Sequence, residues 1–557
     1  MNARSRGMTA HRRSTTSATS VQQRLLIREA TAGLGRYLLE SQPNSKEQSV
    51  VVAYDGRHGS RVFSEDAVGV LAAMGIKSLL YDREAPTPLG AFAVKTLGTA
   101  AGIVVTASHN PPEFNGYKVY QAGGTQINAP VDIQIASHID AVAAEEKGPE
   151  CLSLLLAEKQ GLLSYLSTST FDDYVQNVCK FFSVDQAANT KRQERECLKI
   201  AYTPLHGVGD PVAQALFSHA GFKQIWTVEE QRKPDGNFST VKFPNPEEEG
   251  AMDLVHNLAD KHGAAIAIAN DPDADRLSVS ARTRGGKMKQ MTGDDIGTIL
   301  GDELLRRAKG SGCDMTKVWT LSTIVSSRLL ARLAQRTGAR HQETLTGFKW
   351  LGAVAKQLED AGQQFVFAYE EALGYMVTTE VWDKDGLSAL LLLALLASDL
   401  QAKDETLWTR LEEIHRSRSG VSVTFPRTIR LKPGASGAAI MRELRSNVPK
   451  SIAGKPVALV DDLLDRHEVP AKQGDIPRND VVRFYVGHAE GLTEDAIRLT
   501  LPRLIIRPSG TEPKVKIYCE SRIEMLEAGQ DYVAKQDELR DELRKIADAF
   551  VAVVSHD

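Results

Sequence analysis

Three times along this chain a short apolar stretch gives way to a turn and then to an amphipathic helix, a rhythm that α/β architectures satisfy. In the first stretch Ser49 to Tyr54 reads as a strand, Glu65 to Met74 as a helix and Ala101 to Ala107 as a strand ending in a polar loop. The second opens with the strand Leu198 to Tyr202, continues with helices over Pro211 to Gly221 and Ala251 to His262, and closes on the strand Ala264 to Ala269. The third runs from a helix after Asp294 through strands Val318 to Ser322 and Gln364 to Ala368 to a long apolar helix after Asp385. Each stretch ends a strand on a polar loop, where α/β sheets place ligands. From about Thr424 the pattern changes: strands are expected at Ile429 to Leu431, Val481 to Val486, Ala496 to Leu501 and Val515 to Glu520, with helices near Ala438 to Arg445 and Val533 to Val554. The expectation is three mixed α/β sandwich domains plus a C-terminal α+β domain around a central cleft, with divisions 1–185, 186–297, 298–423 and 424–557. Lys147 to Arg195 reads as polar and irregular.

With 557 residues the chain exceeds a single core, which fits several domains. A formal net charge of only −4 gives no reason to expect nucleic acid or a membrane surface as partner. The five cysteines are dispersed, with no C-x-x-C pair, which argues against a disulfide framework or zinc knuckle and fits a reducing cytoplasm. The longest apolar run, Leu387 to Leu400, is too short for a bilayer and contains Ser388, Ser398 and Asp399, so a buried core helix is expected. No acidic residue precedes Glu29, while arginines recur among Ser and Thr, a composition shared by organellar transit peptides and by disordered termini.

Three loops carry the chemistry. Asp271-Pro-Asp273-Ala-Asp275-Arg276 follows the apolar strand, and carboxylates at alternate positions can turn toward one point as hard oxygen ligands for a divalent cation. An EF-hand reading fails, because Arg276 and Arg282 stand where Gly and a bidentate Glu are required. A dehalogenase-type phosphatase loop also spaces two aspartates this way and is the runner-up chemistry, with an acidic surface turn as the plain alternative. The second loop, Thr106-Ala-Ser108-His109-Asn110-Pro111-Pro112, places a serine among turn formers, with His109 and Lys118 as possible proton carriers, though such a turn is also common without function. The third, Arg507-Pro-Ser509-Gly510-Thr511-Glu-Pro-Lys514, offers a guanidinium fork, hydroxyl donors and an open backbone, a set suited to phosphate or to an ordinary strand-to-strand turn.

In this order the loops resemble those of the α-D-phosphohexomutase family of phosphoglucomutases and phosphomannomutases. The resemblance runs from about Val50 to the C-terminus through TASHNPP, DPDADR and RPSGTEPK, with further matches in YTPLHGVG from Tyr202, MTGDDIG from Met291, TGFKW from Thr346, EEALGY from Glu370 and DKDG from Asp383. The EEALGY form is similar to the branch that holds phosphopentomutase and glucose-1,6-bisphosphate synthase-like enzymes beside many bacterial phosphoglucomutases.

The resemblance implies a phosphosugar mutase interconverting aldose 1- and 6-phosphates of glucose or mannose in the cytoplasm, as a monomer or homodimer. It implies that Ser108 is phosphorylated and completes an Mg2+ site made by Asp271, Asp273 and Asp275, with glucose 1,6-bisphosphate as activator and intermediate. Proton transfer falls to Lys118 or Lys384, unranked and each requiring a depressed pKa, with His109 nearby. Arg57, Arg276, Thr346, Gly347, Lys349, Glu370 and Glu371 are the expected substrate-binding residues, and Arg507, Ser509, Gly510 and Thr511 the expected phosphate-binding residues. Each of Lys118, Lys384 and the Glu370–Glu371 pair has a solvated-surface alternative.

Two departures stand out. Ala372 replaces the serine that many relatives carry in the sugar loop, which removes a hydroxyl contact. The relatives' opening FGT-x-GLRG strand and loop is absent before Val21, where reduced activity is the expectation, while Val21 to Leu39 matches the family's first helix. The alternatives are a phosphopentomutase acting on ribose or deoxyribose phosphates, a catalytically impaired phosphosugar-binding paralogue, and a metal-dependent phosphatase.

Overall fold

The computed structural model describes residues 12–13, 21–42, 44–166, 168–184, 189–431, 436–467, 475–508, 514–527 and 529–555. They pack as two compact units, residues 1–296 with 347–408 and residues 297–346 with 409–557.

In the first unit, Val50–Tyr54 is buried along its whole length. It lies at the centre of a sheet ordered Lys118–Gln121, Ala101–Val105, Val50–Tyr54, Ser78–Tyr81 and Leu163–Leu166. All neighbours are parallel except Lys118–Gln121, which runs antiparallel to Ala101–Val105. A β-branched strand buried on both faces needs cover on both sides. The helices Val21–Ser41, Ser60–Ala73 and Val131–Ala143 contribute to that core through Leu34, Ala67, Leu71 and Ile135. The two-residue strand Arg12–Arg13 pairs antiparallel with Phe114–Asn115. A second sheet in the same unit is ordered Met288–Gln290, Leu277–Arg282, Ile266–Asn270, Lys199–Thr203 and Gln224–Thr227. The unit also holds the antiparallel pair Gln364–Glu370 and Gly374–Met376.

The apolar helix Gly386–Gln401 is almost wholly buried, as its composition requires. Asp385 starts it by accepting hydrogen bonds from the N–H groups of Leu387 and Ser388, both at 3.1 Å. Among the described residues, no helix is long and apolar enough to cross a membrane.

The second unit pairs Val318–Thr323 in parallel with Arg340–Thr344. It also holds a six-stranded antiparallel sheet ordered Val421–Arg430, Lys514–Ile523, Arg503–Pro508, Val482–Val486, Lys455–Asp462 and Ser451–Ile452. The long helix Tyr532–Ser555 packs on its core through Leu543, Ile546 and Phe550.

Two expectations are corrected. Ala496 to Leu501 is not a strand: Glu494–Thr500 is a helix, capped by Thr493, which accepts from the Ala496 N–H at 3.3 Å. The capping threonine and the acidic first turn outweigh the apparent alternation, of which only Ile497 is buried in the helix. Nor is 147–195 irregular. It contains the helices Leu154–Lys159 and Ser169–Phe181, the start of the helix Asn189–Cys197, and the strand Leu163–Leu166 that completes the first sheet. That strand is an edge with only its two end residues buried, so its apolar signal is weak.

Candidate active site

Both central loops span antiparallel strand ends. The serine loop joins Ala101–Val105 to Lys118–Gln121, with Val104 opposite Lys118, so Lys118 stands beside the strand that launches Ser108. The aspartate loop joins Ile266–Asn270 to Leu277–Arg282, with Asn270 opposite Leu277. Its tight turn uses Ala274 at φ 57° and the Ala274 N–H donating to the Asp271 carbonyl at 2.8 Å. The loop is backed by the YTPLHGVG segment: a Cβ on Gly207 would fall 2.4 Å from Pro272 Cα, and the Val208 N–H donates to the Pro272 carbonyl at 2.9 Å. Glycine is required there by close approach of two backbones.

The structure brings the serine and aspartate loops together. Ser108, buried and at φ 50°, donates through Oγ to Asp271 Oδ2 at 2.8 Å and lies 3.3 Å from His109 Nδ1. Asp271, Asp273 and Asp275 are fully buried, and one ligand oxygen of each lies within 4.8 Å of the others. Burial and its two acidic neighbours push the Asp271 carboxyl well above its ordinary range. Oδ1 of Asp273 and Oδ1 of Asp275 are buried with no hydrogen-bond partner. Three converging carboxylates with orphaned oxygens fit a hard divalent cation, which neutralises their repulsion and satisfies those lone pairs. The triad can therefore hold a metal ion.

Lys118 Nζ donates to Asp273 Oδ2 and Asp275 Oδ2, both at 2.7 Å, and Lys384 Nζ lies 3.3 Å from the same Asp275 oxygen. Burial alone would lower the pKa of Lys118, but Asp273, Asp275 and Asp383 outweigh it and raise it. Lys384 follows the same pattern, with burial outweighed by Asp275 and Asp383. The depressed lysine pKa expected from the sequence is thus reversed, because both ammonium groups face the acidic loop. Burial opposes ionisation of Asp273, yet Lys118, Thr87 and Lys384 hold it below the ordinary carboxylate range.

Arg276 donates its backbone N–H to Asp271 Oδ1 at 3.0 Å, and its guanidinium lies 3.9 Å from both Asp271 and Glu247. Its backbone also bridges to Gly374, which brings the EEALGY loop beside the aspartate loop. Glu370, half-buried, ends its strand opposite Gly374. Glu371 sits so close to Gly293 that a Cβ there would lie 1.8 Å from the Glu371 carbonyl oxygen. Gly347, at φ 110°, precedes the helix Phe348–Asp360, on which Lys349 lies 3.3 Å from Asp132. Thr346 is half-buried at the end of the segment 297–346. Arg507 is the penultimate residue of the strand Arg503–Pro508, with its guanidinium 5.9 Å from the Tyr518 ring. Ser509, Gly510 and Thr511 lie outside the described residues.

Arg57 was expected among the substrate-binding residues. Its side chain is buried and turned into the serine loop, where it donates to the carbonyls of Ser108, Asn110, Pro111 and Phe114. Thr87, which no sequence motif marks, donates its hydroxyl to Asp273 Oδ2 at 2.6 Å. Tyr120 and Gln126, likewise unmarked, donate to Asp383 Oδ2 at 2.7 and 2.6 Å. Thr87 precedes a proline at a helix start, which signals a cap but not a partner. Nothing local announces Tyr120 or Gln126, since their acceptor is more than 250 positions away.

Four successive family models match the chain, described as phosphoglucomutase/phosphomannomutase alpha/beta/alpha domains I, II and III and the C-terminal domain, over residues 7–146, 172–286, 292–416 and 457–534. The chain belongs to the phosphoglucomutase/phosphomannomutase family. It is similar to a protein named probable phosphomannomutase from Haemophilus influenzae, at 37% identity over 90% of this chain and 93% of that one. It is also similar to one named probable phosphoribomutase from Schizosaccharomyces pombe, at 36% identity over 90% and 84%. The crystal structure of parafusin, a phosphoglucomutase from Paramecium, shares the fold with a TM-score of 0.70 at 18% identity, covering 98% of this chain and 94% of that one. The chain is a phosphosugar mutase, an enzyme of the isomerase class.

Proposed function

We propose that this mutase interconverts the 1- and 6-phosphates of glucose or mannose, with Ser108 as the phosphoryl carrier. The observation that carries the reading is Ser108 Oγ lying 2.8 Å from an oxygen of a fully buried aspartate triad. A hydroxyl in that position stores a phosphoryl group only if a cation offsets the facing carboxylates. Asp271, Asp273 and Asp275 would hold Mg2+, favoured because every donor is oxygen; when bound it supplies charge neutralisation at the phosphoryl oxygens.

In the forward half-reaction the bond between phosphorus and Ser108 Oγ breaks, and a bond to a hydroxyl of the sugar monophosphate forms, giving glucose 1,6-bisphosphate or its mannose counterpart. In the return half-reaction the other phosphoryl group passes to Ser108 Oγ and the isomeric monophosphate leaves. Lys118, held as an ammonium among the carboxylates, is the group that stabilises the departing serine oxygen. The hydroxyl proton passes to His109, since Lys384, already held as an ammonium beside Asp275 and Asp383, has no lone pair to accept it and serves instead as a second positive charge beside the carrier. Glu370, Glu371, Gly347 and Lys349 are assigned to sugar hydroxyls, as is Thr346 by its residue type, and Arg276 to the carrier loop. The donor set of Arg507, Ser509, Gly510 and Thr511 suits a phosphate-holding role. The cytoplasm is the proposed compartment.

Purified protein with Mg2+ and a trace of glucose 1,6-bisphosphate is expected to convert glucose 1-phosphate to glucose 6-phosphate without releasing inorganic phosphate. Ser108→Ala should lose essentially all of this activity, and a variant with full turnover would sink the carrier role. Release of phosphate would point to a phosphatase, and absence of turnover on any sugar to an impaired paralogue. The second reading, a phosphopentomutase, is favoured by the similarity to the relative named probable phosphoribomutase. Faster turnover of ribose 1-phosphate than of glucose 1-phosphate would establish it.

A further inference from the structure

Arg57 lies in the loop between the strand Val50–Tyr54 and the helix Ser60–Ala73, 4% exposed, and its two terminal nitrogens serve one neighbouring loop. Nη2 donates to the carbonyls of Ser108 and Asn110, and Nη1 to those of Pro111 at 2.8 Å and Phe114 at 3.2 Å. Nε lies 3.3 Å from Asp55 Oδ2, while the other Asp55 oxygen accepts the Arg57 N–H at 3.1 Å and the Ser60 hydroxyl at 2.6 Å. A rigid planar fork can collect carbonyls that point inward from successive residues, and a lysine, with one ammonium point, cannot span the same set.

The guanidinium is covered from a different part of the unit. The Phe238 ring lies 4.8 Å from it, buried, on a backbone held at φ 49°. That left-handed turn is fastened by Asp235, which accepts the N–H groups of Asn237 at 2.9 Å and Ser239 at 3.2 Å. The Asp235 N–H in turn donates to the His206 carbonyl at 3.0 Å. The segment lies hard against the residues around Arg57: a Cβ on Gly236 would fall 2.9 Å from the His58 nitrogen, and one on Gly56 2.5 Å from Pro234 Cβ. An aromatic face over a buried cation excludes water that would otherwise compete for its hydrogen bonds.

We propose that Arg57 is a positioning residue for the Ser108 nucleophile, and that Phe238 is the cap that keeps its carbonyl clamp dry. The inference rests on the reading of Ser108 as phosphoryl carrier. Ser108 occupies φ 50°, a left-handed conformation that a non-glycine residue holds only when its surroundings enforce it. The clamp binds the carbonyl of that residue and those that follow, which fixes the direction of Oγ toward Asp271. Arg57 touches no reacting atom in this scheme and acts only through the loop.

The test uses full-length Arg57→Lys and Phe238→Leu. The rate at which Ser108 gains phosphate from glucose 1,6-bisphosphate with Mg2+ is followed by intact mass and phosphopeptide analysis, beside kcat and KM for glucose 1-phosphate. A misplaced nucleophile predicts kcat and phosphorylation rate lowered together, by about 100-fold for Arg57→Lys and about 10-fold for Phe238→Leu, with KM changed by less than about 2-fold. A raised KM with normal kcat and phosphorylation in Arg57→Lys would make Arg57 a substrate ligand and overturn the proposal. Should Arg57→Lys fail to fold, Phe238→Leu decides: a well-folded variant with normal kcat overturns it. Wild-type protein that gains no phosphate on Ser108 overturns the carrier reading and the inference together, whereas normal phosphorylation in wild type and both variants overturns the inference alone.

Discussion

At the residue scale, the two lysines share one counter-ion and differ in how they hold it. Lys118 bridges Asp273 and Asp275 at 2.7 Å, while Lys384 lies 3.3 Å from Asp275 and 5.3 Å from the Phe348 ring centroid. Lys118→Met should therefore lose about 100-fold or more in kcat, as expected for a positioned acid, and Lys384→Met less. Equal losses in steady-state assays would contradict the assignment. Removing a carboxylate acts through the cation: Mg2+ at about 100 times its Kd is expected to stabilise the wild type by about 2.7 kcal/mol. Asp275→Asn should abolish that gain, read as a shift of urea midpoint with and without Mg2+. Of the site residues, Ser108, the aspartates and both lysines were legible because each lies in a short motif. Arg57 was legible as a residue but not in its hydrogen-bond partners, since which groups a buried side chain meets depends on packing.

At the element scale, the helix Gly386–Gln401 follows the DKDG turn directly, so its start fixes where Lys384 emerges. Asp385 caps it, and its carboxylate also accepts the single O–H of buried Tyr174, whose oxygen lies 2.8 Å from both carboxylate oxygens. Asp385→Ala is expected to cost about 1 kcal/mol for the cap and roughly 1–3 kcal/mol for the stranded hydroxyl, measured by urea denaturation. Gly293→Ala should displace the sugar loop, because its Cβ would overlap the Glu371 carbonyl at 1.8 Å. That change should raise KM for the sugar phosphate while leaving Ser108 phosphorylation by the bisphosphate less affected. A variant with unchanged KM would show that the Glu371 backbone has no part in binding. Most strands and helices with strong apolar periodicity appeared where the sequence placed them, to within a few residues, whereas the strand expected at Ile429 to Leu431 runs from Val421 to Arg430. The misreadings fell at Glu494–Thr500, where a cap and acidic turn compete with alternation, and at Leu163–Leu166, a half-exposed edge.

At the scale of the whole molecule, charge is buried in both compact units. In the second, Glu520 accepts from Arg328 Nε at 2.7 Å and pairs with Arg503 at 3.0 Å, while Glu343 meets Arg483 at 3.0 Å and Arg503 at 3.1 Å. Burial opposes ionisation of Glu520, but Arg328 and Arg503 prevail and lower it to about 2. The stabilisation from this depressed carboxylate is complete above its unfolded pKa of about 4.3 and is lost as pH falls toward about 2. His341 and His415 are lowered to about 4, chiefly by burial, so protonation of the unfolded chain begins to cost stability below its pKa of about 6.5. Thermal melts of the second unit's transition should shift down from about pH 6.5 and again below about pH 4.3. His341→Gln should flatten the first step, and an identical pH profile in that variant would exclude His341 as its source. The sequence by itself determined the α/β class, the change to antiparallel strands after Thr424, and the serine and aspartate loops that the structure brings together, because these reside in local periodicity and short contiguous motifs. Only the tertiary structure decided that Ser108 meets Asp271 across 163 positions, that Tyr120 and Gln126 support Asp383, and that Arg57 serves the serine loop. Those are meetings of residues distant in the chain, fixed by which strands pair and which buried charges must find partners.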